Sequence, residues 1–175
     1  APSMAQDHHP QKGSAPPNGS ETKMDRIRVR ASVTALSQRK MANEINALAE
    51  SLVAVNGRIG SLNGLGDGLP ADILDERDRL MDKLSRYTNV STVEERDGTV
   101  GVSIGTGQVL VLGVNRNQLM IEQNPLAPDR AELLIQQAGS GAVNITQQMS
   151  GGSLGGLLRF RDEILDESHN ALGRV

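Results

Sequence analysis

Asp75, Glu76, Asp78 and Asp82 alternate with Arg77, Arg79, Lys83 and Arg86 in one short stretch. On a helix Asp75, Asp78 and Asp82 step by three and four, share a face, and could hold a cation for metal-assisted hydrolysis. The same spacing sets Glu76 against Arg79 and Asp82 against Arg86, so a solvated ion-pair face is the better reading. Arg77 stands apart because it falls on the apolar Ile73–Leu80–Leu84 stripe, where it snorkels or meets a carboxylate at a helix junction. The adjacent His8 and His9 define no coordination geometry. His169 has neither a second ligand nor a Ser/Asp arrangement near it in sequence. Gly151-Gly152-Ser153-Leu154-Gly155-Gly156 carries no Lys and fits neither phosphate-loop nor dinucleotide spacing. Only the dipole of a helix starting there would favour a phosphate. Catalytic, metal and cofactor sites are therefore not expected, and the chain reads as no enzyme.

Composition narrows the alternatives. Tyr87 and Phe160 are the only aromatics in 175 residues, and Trp is absent. A core must then be built from Leu, Ile, Val, Met and Ala, which suits helix seams and small layered sheets better than an aromatic-lined pocket for a small-molecule substrate. Net charge is −3, with 18 basic and 21 acidic residues interleaved. Arg26-Ile27-Arg28-Val29-Arg30 is the one short basic run, so nucleic-acid binding lacks its electrostatic footprint. The absence of Cys removes disulfides and thiolate chemistry. No apolar run is long enough to span a membrane, and no apolar signal-peptide core follows the N-terminus.

The elements that must position these residues follow from periodicity. Residues 1–24 are rich in Pro, Gly, Ser, Gln and His, and read as a disordered tail, native or appended. From about Asp25 the pattern is helical. Met41, Ile45, Leu48, Leu52, Val55, Ile59 and Leu62 step by four and three, an a/d seam over about three heptads. Traced backwards through Gln38, Thr34, Ala31 and Ile27, the seam weakens. Gly64, Gly66 and Gly68 stop the helix. A second helix, from about Pro70 to Tyr87, carries Ile73, Leu80 and Leu84, and the short link makes it the antiparallel partner of the first. Residues 25–88 are thus a helical hairpin. The period then switches to two: Asp97-Gly98 signals a two-residue hairpin, and Val100, Val102 and Ile104 alternate after it. A meander of about three strands ends near Leu112, with further strands at Leu119–Ile121, Leu133–Ile135 and Ala142–Ile145. Residues 89–150 form this β-rich subdomain, and residues 151–175 a helix returning to the bundle. Gly155 and Gly156 inside its first turns favour close backbone packing over a frayed start. The expected class is α+β: a long coiled-coil-like hairpin plus a C-terminal helix, with a small antiparallel sheet.

Three motifs in order resemble the bacterial flagellar hook-associated protein 1 family. Ile73-Leu74-Asp75-Glu76-Arg77-Asp78-Arg79-Leu80 is similar to its Leu-Leu-Asp-x-Arg-Asp-x-Leu helix, apart from Ile73. Asn89-Val90 and Asp97-Gly98-Thr99-Val100 resemble its next segment. Gly151-Gly152-Ser153-Leu154-Gly155-Gly156-Leu157-Leu158, followed by Arg159-Phe160-Arg161-Asp162, resembles its Gly-Gly-x-Leu-Gly-Gly-Leu-Leu signature. The likeness runs from about Ala42 to Val175. It implies a hook–filament junction subunit, exported through the flagellar secretion channel without a cleaved signal peptide. Its implied partners are the hook protein, a second junction protein and copies of itself in a ring, with no nucleic acid, membrane or small molecule. Family members are longer and carry terminal core-lining helices, so an outer, partly coiled-coil fragment is expected. The competing reading is a surface-displayed or phage-tail-like adhesion module on a coiled-coil stalk.

Overall fold

The computed structural model describes the backbone of residues 19–63 and 68–172, and the side chains of residues 23, 25–63, 68–127 and 130–163. Helix α1 (Gly19–Asn63) has 45 residues and is about 68 Å long at 1.5 Å per residue. It begins inside the segment expected to be disordered: residues 19–24 are its first turns, while residues 1–18, with His8 and His9, lie outside the described part. Of the stopping glycines only Gly68 is described, at φ 76°. Helix α2 (Ala71–Ser85) starts after Pro70 at φ −60°, with Asp72 in the first turn and Lys83 in the last. Those placements match the ends of its dipole. Arg58 pairs with Glu76 and the Tyr87 hydroxyl donates to Glu44, so α2 runs antiparallel to α1.

The strands form two sheets where one was expected. The first is a four-stranded antiparallel meander of β1 (Val90–Glu94), β2 (Val100–Ile104), β3 (Gln108–Leu112) and β4 (Asn115–Arg116). The fourth strand, two polar residues long, has no apolar alternation to announce it. The β1–β2 loop is longer than a two-residue turn: Glu95 N–H donates to Thr99 O (2.8 Å), and Gly98 N–H to Glu95 O (2.9 Å). Gly98 at φ 75° closes this longer turn. The second sheet joins β5 (Gln118–Asn124), β6 (Ala127–Gln136) and β7 (Ala142–Asn144), with Leu119 opposite Ile135 and Ile121 opposite Leu133. After a 3-10 turn at Thr146–Gln148, α3 (Gly152–Leu172) ends the described chain.

Both sheets rest on α1. One apolar cluster joins Ala42, Ile45, Ala49 and Leu52 to Leu84, to Val102 and Leu110 of the first sheet, to Leu119 and Ile135 of the second, and to Leu154 and Leu158 of α3. A smaller one holds Val55, Ile59 and Ile73, flanked by Leu62, Leu69 and Leu80. The seam of α1 is therefore not the private contact of a two-helix hairpin. It carries α2 and both sheets.

Candidate structural site: the α1 seam and its joints

The deepest line on α1 is Gln38, Ala42, Ile45, Ala49, Leu52, Asn56 and Ile59, each no more than 2% exposed. It keeps the four-three rhythm but turns about one residue away from the expected seam. Ile45, Leu52 and Ile59 belong to both lines, Val55 is also buried, and Met41, Leu48 and Leu62 are half-buried. The turn brings small residues inward, and small residues let strands come close to a helix. Gln38 and Thr34, where the seam was expected to fade, are buried. Gln38 has no hydrogen-bond partner on either side-chain polar atom.

Two asparagines, one on this line and one beside it, clamp the sheets. Asn56 Nδ2 donates to Val100 O (2.9 Å) and Gly113 O (2.8 Å), and Oδ1 accepts from Val100 N–H (3.0 Å). Asn46 treats the second sheet likewise: Nδ2 donates to Leu119 O (2.9 Å), and Oδ1 accepts from Leu119 N–H (2.8 Å). Each amide imitates a neighbouring strand, satisfying a main-chain donor and acceptor that burial against the helix would orphan. Sequence reasoning missed both residues. An asparagine among other polar residues carries no signal for such a role.

The second joint lies between the C-terminus of α2 and the start of α3. Ser153 N–H donates to Arg86 O, and Leu154 N–H to Tyr87 O, both at 2.9 Å. Unpaired acceptors ending one helix thus meet unpaired donors opening the next, and the helix dipoles join head to tail. Asn89 N–H (2.9 Å) and Thr88 Oγ1 (3.0 Å) both donate to Ser150 O. Gly155 N–H bonds Gly151 O at 3.1 Å. These bonds occupy the donors that a phosphate would need at Ser153 to Gly155, so that dipole-based site is not available.

The motif glycines divide by what surrounds them. Gly152 has φ 57°, and a Cβ there would stand 2.3 Å from the Tyr87 carbonyl carbon. A Cβ at Gly155 would come 2.8 Å from the Ser150 carbonyl carbon, whereas one at Gly156 would meet nothing within 4 Å. Close approach accounts for the first two and not the third. Leu154 is fully buried, Leu157 half-buried, and Arg161 only 6% exposed. The Arg161 guanidinium donates to Ala131 O of β6 and to Asp162 Oδ1 at 2.6 and 3.0 Å.

The acidic residues of α2 form separate ion pairs. Asp82 pairs with Arg86 at 2.7 Å as expected. Glu76 reaches across to Arg58 of α1 instead of Arg79 on its own helix, a pairing that helical spacing cannot reveal. Leu74 and Arg77 are both half-buried; Arg77 bonds Asp78 Oδ1 at 3.2 Å, and Asp75 is exposed. Among the described residues no group of three or more His, Asp or Glu is placed to hold a metal ion; the side chain of His169 lies outside them. No described helix is long and apolar enough to cross a membrane.

A long helix that carries two sheets by side-chain amides, and is closed by a main-chain joint between two further helices, defines a packing module. The chain belongs to the flagellar hook-associated protein FlgK family: the model of the FlgK helical domain matches residues 26–175. It is 32% identical over 134 residues to flagellar hook-associated protein 1 of Salmonella typhimurium, covering 75% of this chain and 24% of that protein. Against the Escherichia coli K12 protein of the same name, identity is 31% over 135 residues, with 76% and 25% covered. The solved flagellar hook junction protein FlgK from Burkholderia pseudomallei superposes with a TM-score of 0.69 at 25% identity, over 80% of this chain and 25% of that one. The chain thus spans about a quarter of the length of these relatives.

Proposed function

We propose that this chain is part of a structural subunit at the hook–filament junction of a bacterial flagellum, working through packing surfaces and not through catalysis. The supporting observation is the family match across residues 26–175, which includes the three motifs in order. In this reading residues 25–88 form a helical hairpin and residues 151–175 a helix returning to it. Residues 89–150 are a β-rich insert between them. The run from Gly152 to Arg161 spans the joint that fixes this shape, and Leu74, Asp75, Arg77 and Asp78 are the family-motif residues of α2. The whole protein is exported through the flagellar channel without a cleaved signal peptide and works outside the cell. Its partners are hook protein, a second junction protein and copies of itself in a ring. Deleting the full-length gene tests the reading: the cells should build hooks yet release flagellin as monomer. Normal filaments on such cells would refute it.

A further inference from the structure

Helix α1 has a second seam, and it faces outward. Opposite the buried line, Val29, Val33, Leu36, Lys40, Asn43, Ala47, Glu50 and Ala54 step by four and three without a break. Val29 is 63% exposed, Val33 58% and Leu36 66%, and the remaining five are exposed as well. Its N-terminal part is bulky and apolar. Its C-terminal part combines two alanines with Asn43 and Glu50. Charge divides along the helix in the same sense. Residues 25–40 hold five basic side chains and one acidic, and residues 41–54 hold two acidic and no basic.

We propose that this outer seam is self-complementary, and that a second copy of the chain packs against it antiparallel. Val29, Val33 and Leu36, at four-three spacing on a solvent-facing helix, make an apolar face of the kind a second helix covers. Reversed and centred between Met41 and Ala42, the seam sets Val29 opposite Ala54 and Leu36 opposite Ala47, so these two large side chains meet small ones. Val33 then lies against the methylene stem of Glu50, and Lys40 against Asn43. The same register sets Arg39 level with Glu44 and lays the basic half of one copy along the acidic half of the other. Glu50 keeps 71% of its side chain exposed while bonding Arg116, so its charge remains near the surface. A parallel pair would stack the basic halves on each other and face alanine with alanine. The pairing is a property of the free chain and does not depend on the junction reading; either can fail without the other.

Sedimentation equilibrium of the 175-residue chain should give a mass approaching twice 18.6 kDa as concentration rises. Leu36→Asp should return it to monomer with an unchanged circular dichroism spectrum, since Leu36 makes no part of the core. The chain has no cysteine, so single replacements report geometry directly. An oxidised mixture of Val29→Cys and Ala54→Cys chains should cross-link to each other. A monomer at every concentration, a dimer indifferent to Leu36→Asp, or Val29→Cys chains cross-linking to themselves would each overturn the proposal.

Discussion

The joint between α2 and α3 and the groove beside the C-terminal end of α1 both contain glycines, for opposite reasons. At the joint, residues 86–89 and 150–155 touch main chain to main chain, and the glycines are where a side chain has no room. In the groove, Gly57 and Gly60 of α1 face the 95–99 loop and Leu112 to Asn115 across open space. A Cβ at Gly57 would meet nothing, and one at Gly60 only the Thr99 methyl at 3.9 Å. What orders the groove is side-chain bonding: Asn56 to Val100 and Gly113, and Asp97 to Thr99. The joint is a fit that tolerates no change of shape. The groove is a set of hydrogen bonds around a gap, so equal substitutions should have unequal effects.

Gly152→Ala should be the most damaging, at about 3–4 kcal/mol, because a left-handed residue is strained and its Cβ would strike main-chain atoms that cannot move aside. Urea unfolding would measure it. Asn56→Ala comes next, at about 2–3 kcal/mol, since Val100 N–H and two carbonyls lose their buried partner; the same unfolding experiment applies. Gly57→Ala should stabilise the chain by up to about 1 kcal/mol and raise the urea midpoint, as an interior helical glycine with free space around it gains only helix propensity. A loss there would show that the groove is filled.

The smallest effect is that of pH on the groove loop. The Thr99 hydroxyl, and next its N–H, donate to Asp97 and hold its carboxyl below the ordinary value of 3.8. A group depressed in the folded state contributes stability above its unfolded pKa and loses it as pH falls through the folded value. Stability should therefore drop slightly on acidification to about pH 3, and Thr99→Val should flatten that part of the profile.

Legibility follows the strength of local signals. The a/d rhythm of Ile45, Leu52 and Ile59 and the Val100–Ile104 alternation mark helix and strand, because apolar side chains repeat at the period of the backbone. Ala42, Ala49 and Asn56 do not stand out in such a pattern, so periodicity alone sets the helix about one residue out of rotation. The Gly151–Gly156 run announces close packing but not its target, since Thr88 and Ser150 are 62 residues apart. The split into two sheets turns on Asn117, whose N–H bonds Leu110 O at 2.9 Å and whose Oδ1 accepts from Ala138 N–H at 3.4 Å. That stitching depends on three-dimensional neighbours that no periodicity encodes.

Main-chain hydrogen bonds lock α2 and α3 end to end. Native-state hydrogen exchange at the Ser153 and Leu154 amides measures that lock directly. Both are predicted to exchange only with global unfolding, as slowly as the amide of Leu52 in the middle of α1. Fast exchange at these two positions, with Leu52 still protected, would mean that α3 begins as a frayed end and that no such lock exists.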